Sequence, residues 1–333
     1  MALTQIADVV VPEIFGPYTA NLAITTSNLI TSSIVMLDGT LSSSLQAGGT
    51  TFNMPSWAAP DMETEYQTPT DDNVLIVPVK SVAINEIAVR LGGNEAYSSA
   101  RLAAQLAGSN PMDALASHIA GIMGGKRQTM LINQLNGLFD TALAASVSDI
   151  AVEAIASYTA ATVFGSGVFI DALAPFSDML GDNYSIVCHP DVYRAMMKEG
   201  LIDTDNVSVT DGSAAVNTYL GFPVVRDARC PKVAGATDGF KYTTYVAAPG
   251  AIRTGAGSVG VVVDNNELAG NGSGVENLIV RDSFGFHVGG TKWTGTAAGA
   301  LPTAAELATG GNWAKVLDTK LIPVAAIITN VAV

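Results

Sequence analysis

Residues 255–267 read GAGSVGVVVDNNE, and the first six of them spell G-x-G-x-x-G. That is the glycine pattern of a dinucleotide-binding turn, so the fold depends on what stands on either side. Such a turn needs a buried strand ahead of it and a helix behind it, because the helix N-terminus holds the pyrophosphate. Here the upstream strand, within FKYTTYVAAPGAI (240–252), is interrupted by Pro249-Gly250. Downstream, VVVDNNELAGNGSG is strand-like and then a glycine-rich loop, with no helix start. Asp282 lies about twenty residues on, where the acidic partner of a ribose belongs, but it sits inside the next strand. The stretch reads as a tight turn between two strands. A nucleotide-dependent enzyme would rest on this one misplaced motif.

Working outward, VENLIVRDSFGFHVGG (275–290) alternates strictly, with Leu278, Val280, Phe284, Phe286 and Val288 on one face. This predicts a long, half-buried strand, with His287 on its polar side. PTAAELATGGNWAKVLDTKLIPVAAIITN (302–330) predicts a short helix, a loop and a final strand. Residues from about 150 to 265 mix helices and strands. In YSIVCHPDVYRAMMKEG (184–200) a buried strand runs into a helix with Pro190 near N1 and Gly200 at the C-cap. GVFIDALAPFSDML reads as a helix containing Pro175. The alternation indicates a compact α+β unit.

Further upstream, YSSARLAAQLAG (97–108) reads as a short helix. The next helix carries a strong start, with Asn110 as N-cap, Pro111 at N1 and Asp113 in the first turn. Met112, Leu115, Ile119, Met123, Leu131, Leu135 and Phe139 keep helical spacing, and Lys126 and Arg127 make one polar turn. Gly124-Gly125 interrupts it. Two interior glycines cost roughly 2 kcal/mol relative to alanine, so either packing offsets them or the helix bends there. Residues 38–90 look like one long excursion. GTLSSSLQAGGTTFNMPSW leads out, acidic AAPDMETEYQTPTDD turns, and NVLIVPVKSVAINEIAVRL returns, giving an extended hairpin with a mobile tip. An excursion of that length without core of its own belongs across a neighbouring molecule. Its acidic tip (Asp61, Glu63, Glu65, Asp71, Asp72) reads residue by residue as a solvated loop, or together as a dock on a basic patch of that neighbour, with Arg90, Lys126 and Arg127 as candidates. Residues 1–37 read as an extended arm, with a polar helix near Tyr18 to Thr31.

Composition narrows the function. The chain has 333 residues, 48% hydrophobic but only 14% charged, and a formal net charge of -14. A nucleic-acid reader needs a basic stripe, and this balance argues against one. So few charges suit either an ordinary compact domain or a surface covered by copies of the same chain. The two cysteines, Cys188 and Cys230, form no C-x-x-C and read as buried free thiols. His118, His189 and His287 have no metal-ligand spacing, and Cys188 and His189, adjacent on a strand, point to opposite faces. GIMGGKRQ (121–128) fails as a phosphate loop, with Ala120 at the first glycine position and Arg127 after the lysine. No catalytic, cofactor or metal residues are expected. The N-terminus lacks signal-peptide features and LIPVAAIITNVAV is too short to span a bilayer, so a soluble product made in the cytoplasm, with no membrane partner, is expected.

The order of an arm, a long hairpin, a long helix, a compact α+β unit and a final long strand resembles the tailed-bacteriophage major capsid proteins of the Hong Kong 97-like fold. IADVVVPEIFGPYT, FNMPSW, SSARLAAQLAGSNPMDALASHIA, YTTYVAAPGAI, ELAGNGSGVENLIVRDSFGFHVGGTKWTG and PTAAELATGGNWAKVLDTKLIPVAAIITN carry the resemblance from end to end. The resemblance implies an α+β capsid fold with an N-arm (1–37), an E-loop (38–90) and a P-domain with its spine helix (91–149). It implies an A-domain at 150–267 and returning P-domain strands at 268–333. It implies hexamers and pentamers that close into an icosahedral head around double-stranded DNA, with a portal and scaffolding or decoration proteins as partners. The location would be the virion, after assembly in the host cytoplasm. Cellular nanocompartment shells share the fold and are the alternative. Subunit contacts would fall to Trp57, Asp61, Glu63, Glu65, Arg90, Lys126 and Arg127. Gly124 and Gly125, where the family carries bulkier residues, would be the hinge of the spine. Only Lys80 lies in the excursion, near its base, so no covalent crosslink through an E-loop lysine is expected.

Overall fold

In the computed structural model, residues 34–57, 67–68, 75–78, 81–107, 111–174, 184–205, 216–257 and 260–332 are described. Residues 1–33 of the expected N-terminal arm, with its helix, the acidic tip, Lys80, the Asn110 cap, Pro175 and the side chain of His118 lie outside them.

The chain begins with β1 (Val35–Leu37) and α1 (Gly39–Ala47), then β2 (Thr51–Trp57), β3 (Ala83–Val89), β4 (Leu91–Ala100), α2 (Arg101–Ala107) and the long α3 (Pro111–Gly137). The α+β unit follows, with β5 (Val147–Asp149), α4 (Ser166–Leu173), β6 (Ser185–Cys188), α5 (Pro190–Lys198) and β7 (Ile202–Asp205). It continues through β8 (Val216–Tyr219), β9 (Phe222–Arg226), β10 (Lys232–Ala234) and β11 (Phe240–Ala247). Last come β12 (Ile252–Ala256), β13 (Gly260–Asn266), β14 (Val275–Val288), β15 (Thr291–Trp293), α6 (Ala304–Leu307), β16 (Trp313–Lys315) and β17 (Val324–Thr329).

Among the described residues three sheets form. One runs β1-β12-β14-β13, with β4 also paired to β14; the second runs β5-β17-β11-β6-β9-β8-β7, with β10 on β11; the third runs β16-β15-β3-β2. The second sheet takes in β17 from the C-terminal end, while β12 and β13 belong with β14. GAGSVG is a strand-to-strand link, since Gly255 lies in β12, Gly260 opens β13 and both strands run antiparallel to β14. A Cβ at Gly255 would stand 2.7 Å from Leu41 Cγ and Leu45 Cδ1, so this glycine serves the seating of α1 on the sheet.

Two local expectations are corrected. The serine-rich run after Asp38 is a helix rather than an extended lead-out. The Asp38 side chain accepts from Thr40 N at 2.7 Å, and the Ser42, Ser43 and Ser44 hydroxyls bond back to the carbonyls of Asp38 and Thr40. With the hydroxyls satisfied along the helix, the propensity of serine for turns is overruled, and Leu41 and Leu45 are buried. Residues 97–100 are strand, not helix. β4 pairs with β14 from Leu91↔Phe284 to Ala100↔Val275, and this long ladder overrides the local helix preference until Arg101.

The core lies on both faces of the second sheet. Val187, Tyr245, Val324 and Ala326 face Leu131, Leu135, Leu138 and Phe139 of the long helix and its end. Ile186, Val246, Ala325 and Ile327 face Phe169, Val192 and Met196 of α4 and α5. Burial on both faces explains the continuous apolar runs of these strands. α3 stays helical through Gly124-Gly125, spans about 40 Å at its ordinary rise, and ends in a π-turn at Leu138–Ala142.

Candidate assembly surfaces

β2 and β3 form the expected hairpin, in register from Thr51↔Val89 to Trp57↔Ala83. Arg90 bolts its root. Its Nε donates to the Gly49 carbonyl at 2.7 Å, Nη1 to Ser283 Oγ at 3.1 Å and Nη2 to the Leu45 carbonyl, while the guanidinium lies over the Phe52 ring. A second tie is wholly buried. His287 Nε2 stands 2.7 Å from Glu86 Oε2, with the His287 side chain 1% exposed. This corrects the placement of His287 on a polar face. The end of β14 is covered on both sides, with Phe284, Phe286 and Val288 in the main core and Gly285 against α1 and the Val89 carbonyl.

Beyond the root the hairpin is apolar and uncovered. Trp57 is 75% exposed and Leu75 86%, and Ile76, Val77 and Val82 are exposed with them. The two described legs meet where the Gln67 side chain clasps both the N–H and the carbonyl of Val77, each at 2.8 Å. Isolated exposed apolar side chains are ordinary, but such a run marks a contact surface. Asp61, Glu63 and Glu65 fall outside the described residues.

The three basic residues singled out as a docking patch behave differently from one another. Arg127 holds Asp282 through two bonds, Nε to Oδ2 at 2.8 Å and Nη2 to Oδ1 at 2.5 Å, and rests over the Phe284 ring. Arg90 is committed as described above. Lys126 pairs with Glu95 yet stays half exposed, beside a cavity of about 120 Å³ lined by Met123, Met130, Val280 and Phe284. Gly125 is occupied from the other side. A Cβ there would stand 2.4 Å from Nη2 of Arg229, which arrives on the turn after β9. Beneath it Gln128 is fully buried, and neither its amide nor Arg229 Nη1 has a hydrogen-bond partner among the described residues. Sequence reasoning missed Arg229 and Glu86. The paired glycines were the available signal for the first, because a glycine inside a helix often marks a close approach.

The polar groups elsewhere build structure. His189 caps α5, its Nδ1 accepting from Asp191 N at 3.1 Å. Burial works to raise the Asp191 carboxyl, but bonds from Lys232 and Tyr242, both at 3.0 Å, outweigh it and hold the group below the usual carboxylate range. Burial pushes the Cys188 thiol up to about 12 and Cys230 well above its ordinary value, so neither is a thiolate at neutral pH. Among the described residues no group of three or more His, Cys, Asp or Glu is placed to hold a metal, and no helix is long and apolar enough to cross a membrane.

Comparison with known proteins meets this geometry. Residues 125–310 match the family described as phage capsid protein. The chain is 33% identical over 329 residues to the major capsid protein of Bacillus phage SPP1, covering 97% of each. Among solved structures, it superposes on the capsid of Ralstonia phage GP4 with a TM-score of 0.60 at 10% identity, covering 93% of this chain and 89% of that one. It superposes on a chain of Mycobacterium phage Adephagia with a TM-score of 0.54 at 14% identity, covering 92% and 91%.

Proposed function

Because the chain belongs to the phage major capsid proteins, and as such forms the head shell of a tailed phage, we propose that its exposed hairpin is the principal contact between copies. The fold is Hong Kong 97-like, and the chain is a structural protein rather than an enzyme. Identity across nearly the whole length carries the family assignment. The uncovered run of Trp57, Leu75, Ile76 and Val77 supports the role of the hairpin.

In this reading copies assemble as hexamers and pentamers around double-stranded DNA. The N-arm (1–37) and E-loop (38–90) reach neighbours, 150–267 gathers as the A-domain about the capsomer axis, and 91–149 with 268–333 form the P-domain. The interface draws on Trp57, the acidic tip at Asp61, Glu63 and Glu65, and half-exposed Lys126. Arg90 and Arg127 contribute by fixing the hairpin root and β14. Gly124-Gly125 is the hinge of the spine, and bending there requires Arg229 to lift away from the helix. A portal and scaffolding or decoration proteins complete the head. The test is electron microscopy and sedimentation of the protein expressed alone, beside Ile76→Asp. Closed shells or capsomer rings for the parent and free subunits for the variant are expected. Equal assembly of both would remove the hairpin from the interface.

A further inference from the structure

The chain contains two Asn-Gly pairs, Asn136-Gly137 and Asn271-Gly272. They lie in opposite environments. Asn136 is near the end of α3, its Oδ1 accepts from the Tyr245 hydroxyl at 2.8 Å, and Gly137 is walled in by the Leu307 carbonyl and Trp313. Asn271 stands at the exposed tip of the turn joining β13 and β14. That turn is closed at its base by Gly274 N to the Ala269 carbonyl at 3.0 Å and by the Arg101–Glu267 ion pair at 2.8 Å, and across its tip by Ser273 N to the Gly270 carbonyl at 3.2 Å. At the tip Gly270, Asn271 and Gly272 all have positive φ, of 64, 55 and 87°. No hydrogen bond among the described residues restrains the Asn271 amide.

We propose that Asn271 is a site of spontaneous deamidation. The backbone nitrogen of Gly272 gives its proton to solvent base and attacks Cγ of Asn271. A carbon–nitrogen bond forms, the side-chain nitrogen leaves as ammonia, and a cyclic succinimide closes. Water then opens the ring at either carbonyl, leaving aspartate or isoaspartate; no electrons are transferred. Glycine on the C-terminal side favours the attack, because no Cβ obstructs the approach of the nitrogen and its backbone is free to turn. Each event places a new negative charge near Glu267 on a chain already at -14. The isoaspartate product also threads an extra methylene through a turn of constrained φ.

The test is peptide mapping by mass spectrometry of the full-length, unassembled chain held at mildly alkaline pH. The Asn271 peptide is expected to convert severalfold faster than the Asn136 peptide. Gly272→Ala should slow it severalfold; a Cβ there meets nothing within 4 Å, though its positive φ makes a folding check necessary. Asn271→Gln leaves the Gly272 φ untouched, needs the same folding check because position 271 has a φ of 55°, and should abolish conversion at the site. Conversion of Asn271 no faster than that of Asn136, or a rate in Gly272→Ala equal to the parent, overturns the proposal.

Discussion

The glycines of α3 make the fold testable at single-atom resolution. Gly121, Gly125 and Gly137 share one helix, and alanine at each gains about 1 kcal/mol of helix propensity. What differs is the space for a methyl group. At Gly121 nothing lies within 4 Å, so Gly121→Ala should stabilise by about the full propensity gain. At Gly125 the methyl would meet Arg229 Nη2 at 2.4 Å and Cζ at 3.1 Å. A guanidinium can shift, but forcing it from a packed seat costs about 1–3 kcal/mol, so the net change should be a loss of about 0–2 kcal/mol. At Gly137 the obstacle is the Leu307 carbonyl at 2.1 Å, and Trp313 Nε1, which donates to that carbonyl at 2.8 Å, stands 2.9 Å away. Backbone cannot swing aside, so Gly137→Ala should cost the most, about 3 kcal/mol or more. The assay is urea unfolding of the unassembled chain, comparing midpoints at constant slope. In Arg229→Ala, the Gly125→Ala change should become stabilising. If Gly125→Ala stabilises the parent as much as Gly121→Ala does, Arg229 is not seated on the helix and the account of the glycine pair fails.

Three further outcomes follow from the same geometry. Glu86→Ala should destabilise by about 1–3 kcal/mol, because it removes the buried hydrogen-bond partner of His287 Nε2; urea midpoints and hydrogen exchange in β2 and β3 would read the loss, and an unchanged midpoint would refute it. Asp191 is held below its unfolded value, so its contribution to stability is complete above that value and is lost as pH falls through the lowered one. Asp191→Asn should therefore flatten the acid limb of the stability–pH profile, and an unaltered limb would count against the Lys232–Tyr242 clasp. Both thiols should resist a thiol reagent in the native chain and react on unfolding, since burial keeps them protonated; rapid native labelling would show that the second sheet opens.

Much of the architecture was legible because it follows local rules. Pro190 at the start of α5, the alternation of β14 and the β-branched legs of the hairpin each announce an element through backbone or packing chemistry. What escaped was set by distant partners. The serines of α1 favour turns until their hydroxyls find carbonyls within the helix, and residues 97–100 favour helix until β14 offers them a ladder. His287 was misplaced for a related reason. Alternation predicts which face of a strand is buried, but says nothing when a second layer covers the other face, as α1 and β3 do here. The partners of Arg90 and Arg127 inside the subunit were not legible either, because a sequence does not disclose that the Leu45 carbonyl and Asp282 lie within their reach.

That last point bears on how shells of this chain hold together. Of its sixteen lysines and arginines, seven are in ion pairs inside the subunit among the described residues (Arg101, Lys126, Arg127, Arg194, Lys232, Lys241 and Arg253). Arg90 is tied by its hydrogen bonds. Half of the sixteen are thus engaged within the subunit among the described residues, whereas the hairpin legs offer large apolar side chains with nothing over them. Fully covering one such side chain is worth about 1.5–3 kcal/mol, while an exposed ion pair is worth roughly 0–1 kcal/mol and is screened by salt. The contact should therefore be apolar in its energetics. Raising sodium chloride from low to high concentration should leave the assembled fraction nearly unchanged, sulfate should increase it and cooling should decrease it. Sedimentation across that series decides the matter. Shells that dissociate steeply as sodium chloride rises would mean that the acidic tip, rather than Trp57 and the Leu75–Val77 run, holds neighbouring copies together.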